Sequence, residues 1–439
     1  MKKKTIFVST FFLILMSNFV FGQGNISKEN LEKIKKSYSK NDPYIKAVTN
    51  AVCKNSIKKL SKNHFSIGKY DHNFKYKVNV KGITDQESSG RCWMFTSMNT
   101  LRPKVIEKYN LSEFEFSTNY LYFYDQLEKS NLFLQGIIDN KDKALDDKMV
   151  NWLLKSAMPE TYTSENTSGM QKIIKKKLRE SALILRRMKS AKKEDLEKKK
   201  LEILGDIYKI LAINLGEPPT EFSWNYKDKT GKISELKNYT PESFFKEVVN
   251  FNENDYVLLM DDPSREYYKL YEIEYDRNVY EGQNWIYINL PTKEIKEFAK
   301  KSIIDNEAMY FSCDVGKQLD SKEGLLSLDN YDYESLFGVK FEMNKKDRII
   351  TFQSGSSHGM ALVGVDTDKN GKITKWLLEN SWGSKSGHNG YLTMTDEWFD
   401  QYMFRVVVLK KFINEKTLKI LKQKAIKLPP WDPMFSFDK

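Results

Sequence analysis

The chain has 439 residues, 40% hydrophobic and 13% aromatic, with a formal net charge of +12. That composition supplies a real core and excludes a mostly disordered chain. The length suits a core domain with a large insertion rather than one minimal domain.

Taken in chain order, the first element is a basic start, Lys2-Lys3-Lys4, followed by an apolar stretch from Ile6 to Phe21 that Ser9, Thr10, Ser17 and Asn18 dilute. This pattern predicts a signal peptide over 1–22, cleaved after Gly22, and with it export to a periplasmic or extracellular space. The stretch is short and polar for a span of about 20 apolar residues, so stable membrane insertion after cleavage is not expected. Loss of the three lysines leaves the mature chain at +9. Residues 25–82 are polar and lysine-rich.

The segment Gln86-Glu87-Ser88-Ser89-Gly90-Arg91-Cys92-Trp93-Met94-Phe95 carries the strongest chemical signal. A thiolate is the attacking form of cysteine, and a helix N-terminus lowers the pKa of a thiol placed there. A glutamine six positions upstream offers an amide N–H for the oxyanion that forms when a thiolate attacks a carbonyl. The helix begun at Cys92 is expected to end near Leu101, before Pro103. A second helix, rich in aromatics that pack the core, is expected to start near Ser117.

Residues 171–215 read as helical, with Ile174, Leu178, Leu185, Leu204, Ile207 and Leu211 among the apolar positions, and Pro218-Pro219 closes the block. Thirteen Lys or Arg against four Asp or Glu lie within 171–200, which admits weak nucleic-acid or polyanion binding, although a solvated face explains the same excess. Strands are expected at 256–260, 285–290, 308–312, 359–365, 376–379, 390–394 and 405–409, in an antiparallel sheet or barrel, with a turn at Asp368-Lys369-Asn370-Gly371. Ser357-His358-Gly359 and Glu379-Asn380-Ser381-Trp382-Gly383 fall among them. A thiolate, an imidazole that shares its proton and an amide that orients the imidazole form a complete nucleophilic set. The catalytic residues are therefore Cys92, His358, Asn380 and Gln86, with Trp382 shielding the His–Asn hydrogen bond. Of the other histidines, His388 lies in a glycine-rich loop and reads as a turn residue, and His64 and His72 lack a catalytic context. No metal site and no cofactor are expected. Three cysteines leave at least one thiol free, and Cys92 is the natural one. Cys53 and Cys313 either pair or stay as buried free thiols.

These blocks resemble papain-like cysteine peptidases, and more closely the branch of bleomycin hydrolase and bacterial aminopeptidase C. The branch-like motifs are Ser89-Gly90-Arg91-Cys92-Trp93, Cys313-Asp314-Val315-Gly316-Lys317, Tyr287-Ile288-Asn289-Leu290-Pro291, Met394-Thr395-Asp396-Glu397-Trp398 and Leu428-Pro429-Pro430-Trp431-Asp432-Pro433-Met434. Cysteine and histidine stand 266 positions apart here, against about 130 to 150 in papain-type enzymes. The resemblance implies an α+β papain-like fold over 23–439, with a helical subdomain, a β-barrel-like subdomain, an active-site cleft between them and a helical insertion over about 160–250. It also implies release of N-terminal amino acids from peptide substrates through a thioester, and a homohexameric ring. In the family the C-terminal tail, here 428–439, lies in the cleft, and its terminal carboxylate, here on Lys439, holds the free amine of the substrate. Two departures bear on specificity. The family's Asp-Gly-Gly-x-Trp segment is replaced by Leu145-Asp146-Asp147-Lys148-Met149-Val150-Asn151-Trp152, and the tail ends in the bulkier Phe435-Ser436-Phe437-Asp438-Lys439. An endopeptidase with a more open cleft, or a basic nucleic-acid-binding oligomer, is the alternative.

Overall fold

A computed structural model describes residues 25–87, 89–156 and 165–435. The expected signal peptide, Ser88, the stretch around Met158-Pro159-Glu160 and the terminal residues 436–439, Lys439 among them, lie outside the described residues.

The helical half begins with α1, Cys92–Lys108. This helix runs past its expected end at Leu101, with Pro103 inside it. Proline removes one backbone donor, but Val105 and Ile106 beyond it are buried against Leu111, Tyr239 and Val248, and that burial holds the last turns in place. Helix α2, Thr118–Asp139, starts directly after Ser117, as expected. Helix α3, Lys148–Ser156, takes up most of 145–152. Asp147 caps it by accepting from the backbone N–H groups of Met149 (2.9 Å) and Val150 (3.3 Å). The basic block is two helices, α4 (Glu165–Arg187) and α5 (Lys193–Leu215). Ile174, Leu178, Ala182 and Leu185 of α4 and Leu196, Ile203, Ile207 and Leu211 of α5 form one core with Tyr122, Phe123, Phe133 and Leu134 of α2. Gly216, at φ +80°, ends α5 ahead of the two prolines.

The β half contains β1 (Tyr256–Met260), β2 (Lys269–Ile273), β3 (Trp285–Asn289), β4 (Met309–Cys313), β5 (His358–Thr367), β6 (Ile373–Glu379), β7 (Tyr391–Thr395), β8 (Met403–Leu409) and β9 (Ile426–Leu428). All seven expected strands are present, and the Asp368 turn is closed by Gly371 at φ +79°. The long strands follow one another as β9-β2-β3-β1-β8-β4-β5-β6-β7, with three two-residue strands completing the sheet. Most neighbours are antiparallel, but β1 with β3, β2 with β9, and β7 with Leu325–Leu326 run parallel, so the expected antiparallel sheet is in fact mixed. The main core lies on this sheet, where Trp376 and Phe311 pack on Phe399 of the helix Asp396–Tyr402, with Trp398 of the same helix and Phe298 of the helix Thr292–Ile304 buried in the same core. Helix α1 packs on β5 and β4 at the seam between the halves. All three cysteines are free: Cys53 is exposed and Cys313 buried, so these two do not pair.

Candidate active site

The loop before α1 is shaped by hydrogen bonds to the segment after β6. The Gln86 N–H donates to the Ser381 carbonyl at 2.8 Å, and the Gly383 N–H donates to the Thr84 carbonyl at 3.1 Å. Gly383 has φ +74°, and a Cβ there would stand 2.5 Å from Asp85 Oδ2, so only glycine fits this close approach. Within the loop, Arg91 Nε donates to Ser89 Oγ (2.8 Å) and Ser89 Oγ donates to the Gln86 carbonyl (2.6 Å). Gly90 takes φ +61°, and the helix opens at Arg91 with no side-chain cap. The Met94 and Phe95 N–H groups bond the Arg91 carbonyl, and the Trp93 N–H is left to bond the Cys92 sulfur.

His358 is the first residue of β5, and its Nε2 lies 2.9 Å from Asn380 Oδ1, one residue beyond β6. An amide oxygen only accepts, so Nε2 carries the proton and Nδ1 is the nitrogen left to face the thiol. Burial pushes the Cys92 thiol up. The hydrogen bond and charge of His358, with the backbone N–H groups of Gly359 and Trp93, outweigh that and hold it below the ordinary thiol range. The centroid of the Trp382 ring lies 4.7 Å from that of the imidazole, the planes tilted by 32°. Asn380 is 1% exposed, and its Oδ1 also accepts from the Ser381 N–H at 2.8 Å.

Gln86 is also buried, and Ser381 Oγ donates to its Oε1 at 2.6 Å. With the amide oxygen occupied, the –NH2 end is the one left to donate, as oxyanion stabilisation requires. Sequence reasoning had not given Ser381 a role, although its place between Asn380 and Trp382 was a signal. The structure thus brings Cys92, His358, Asn380, Gln86 and Trp382 together. His388 sits in its turn, 4.0 Å from and stacked on His72, and His64 is exposed on the surface.

The C-terminal segment is anchored on the β half. Asp432 is buried and pairs with Arg265, Met434 is fully buried, and Phe435 packs on the Arg405 guanidinium at 4.6 Å, with Trp285 at 4.6 Å on the same group. Arg405 of β8 pairs in register with Ser312 of β4, and Ser312 with Gly359 of β5. Arg405, which carries Phe435 on its guanidinium, therefore shares a rung of the sheet with the residue after His358, two strand spacings or about 10 Å along it.

The model of the peptidase C1-like family matches residues 25–158 and 153–435. Human bleomycin hydrolase is 36% identical over 92% of this chain and 98% of its own length. Aminopeptidase C of Listeria monocytogenes is 33% identical over 94% and 99%. Among solved structures, PepW of Lactobacillus rhamnosis superposes with a TM-score of 0.88 at 33% identity, over 94% of this chain and 99% of that one. The α+β architecture, the matched length and the shared identity agree: the chain belongs to the peptidase C1-like family.

Proposed function

We propose that this protein is a cysteine aminopeptidase that releases N-terminal amino acids from peptides. The observation that carries the chemistry is the Cys92–His358–Asn380 arrangement, with Gln86 locked by Ser381. The thiolate of Cys92 attacks the first peptide carbonyl. The oxyanion is held by the Gln86 amide and the Cys92 backbone N–H, a donor class worth about 10²–10³ in kcat per donor. Protonated His358 then gives its proton to the leaving amine, and the thioester is hydrolysed by water that His358 deprotonates.

The restriction to the N-terminus rests on the tail. Four residues follow Phe435, and an extended chain covers about 13 Å in that length, comparable with the two strand spacings between Arg405 and Gly359. The terminal carboxylate of Lys439 would then pair with the substrate ammonium one residue from the thiolate. The family relationship and the names of the relatives support this reading, which extends to a homohexamer and, from the N-terminal sequence, to an exported enzyme.

The test is hydrolysis of a free-amine aminoacyl reporter and its N-blocked twin under reducing conditions, with and without a thiol alkylator. Alkylator-sensitive cleavage of the free-amine form alone is expected. Equal cleavage of both would replace the reading with an endopeptidase, and cleavage of neither would overturn it.

A further inference from the structure

One buried ion pair lies behind the catalytic groups and takes no part in the steps above. Arg102, nearly three turns into α1 from Cys92, pairs through Nη2 with Glu379 Oε1, and the side chains are 3% and 0% exposed. The same Nη2 donates to the Gly82 carbonyl at 3.1 Å. Glu379 is the residue directly before Asn380, and Gly82 opens the segment that leads to Gln86. One guanidinium thus touches the helix of the nucleophile, the strand of the orienting amide and the loop of the oxyanion donor.

As a stabilising device the pair is poor. Arg102 Nε and Glu379 Oε2 are both buried without a hydrogen-bond partner. Half-satisfied buried charges are weak contributors to stability, and an apolar pair of the same volume is often as good. What the pair supplies is direction. It joins α1, of the helical half, to β6, of the β half, and does so beside the residue that aims His358. A second tie, Asn99 Nδ2 to Thr84 Oγ1 at 2.9 Å, lies one turn closer to Cys92 and fixes the same loop. The other groups facing Glu379 are Lys77, which lies over the Tyr391 ring at 4.4 Å, and Tyr391, its cross-strand partner. Burial outweighs the opposing pull of Arg102 and then Lys77 and leaves the Glu379 carboxyl raised to about 7.

We propose that Arg102 and Glu379 are positioning residues for the cysteine-peptidase reaction, a hub that holds Cys92, the His358–Asn380 pair and Gln86 in register across the seam between the two halves. The inference rests on the proposed chemistry, so its test includes a readout that needs no substrate. Three variants, Arg102→Lys, Arg102→Met and Glu379→Gln, are compared with the wild type for kcat and KM on the free-amine reporter, for melting temperature, and for the rate of Cys92 alkylation by iodoacetamide from pH 5 to 9. A displacement of catalytic groups by a fraction of an ångström to 1 Å costs up to about a hundredfold, so Arg102→Met and Glu379→Gln are expected to lose at least about tenfold in kcat with KM within about twofold. Their alkylation profiles shift to higher pH, because a loosened His358 stabilises the thiolate less, and Arg102→Lys recovers part of both effects. Should the single variants fail to fold, the double variant Arg102→Met/Glu379→Met removes both buried charges. It is expected to fold and to remain slow, with the shifted alkylation profile. Folded variants with wild-type kcat and an unmoved alkylation profile, whatever their melting temperature, would overturn the proposal. If the wild type proves inactive on both reporters, the alkylation profiles still decide this point while the aminopeptidase reading falls alone.

Discussion

Cys92 is half-buried, and burial alone would leave it a neutral, unreactive thiol. The neighbours reverse that sign. A thiol of lowered pKa stays deprotonated as pH falls below the ordinary value of about 8.5 and loses its reactivity only on passing the lowered pKa. Iodoacetamide labelling of Cys92 should therefore persist below the range of a free thiol, and His358→Ala should move its midpoint upward toward that range. Cys92→Ala should abolish turnover with the melting temperature within about 2 °C of wild type, because a single small substitution away from the core changes little. Gln86→Ala should lower kcat by about 10²–10³ with a smaller effect on KM. Ser381→Ala frees the same amide to rotate, so its loss should be in kcat too, but smaller than that of Gln86→Ala. Equal losses in both variants would mean that Ser381 does more than orient Gln86.

Helix α1 and the C-terminal segment are each held by anchors away from the nucleophile. The helix places its N-terminus at the seam because its far end is anchored in a second small core and its middle lies on β4 and β5. The C-terminal segment is anchored by Asp432 on Arg265, by buried Met434 and by Phe435 on Arg405. Deleting residues 436–439 should leave this anchor and the catalytic groups intact and remove the carboxylate that selects a free amine. The expected result is a rise in cleavage of the N-blocked reporter relative to the free-amine reporter, measured as a ratio of kcat/KM. An unchanged ratio would transfer the gating to another part of the cleft, with α3, where the segment departs from the family, the first to test.

For the whole molecule, a homohexamer of the mature chain has a mass of about 0.3 MDa, given 51.5 kDa for the full sequence. Analytical ultracentrifugation should find that species, and a monomer at micromolar concentration would refute the assembly. The basic excess on α4 and α5 is distributed over two helices. On α5, part of it is met by local carboxylates, as in Lys199 with Glu202 and Lys200 with Glu197, and Lys177 of α4 pairs with Asp206 of α5. Such pairing reduces the field available to a polyanion. Any binding of single-stranded DNA should therefore be weak and vanish between 50 and 200 mM salt, the steep dependence of phosphate contacts.

What the sequence determined by itself was the chemistry and its order along the chain. Cysteine, histidine, asparagine and glutamine in those local settings allow few other uses, and period-two patterning located every one of the seven expected strands because side-chain alternation is a local property. Its local rules misjudged α1, where Pro103 signalled a stop and tertiary burial of Val105 and Ile106 overrode it. They could not show that three strand pairs run parallel, since orientation depends on partners distant in sequence. Nor could they reveal that Ser381 holds the Gln86 amide, that Phe435 packs on Arg405, or that Arg102 meets Glu379 across 277 positions. These are contacts between segments that only the packed sheet and helix bring together. They decide how accurately the reactive groups are aimed, whereas the sequence had already decided what those groups are.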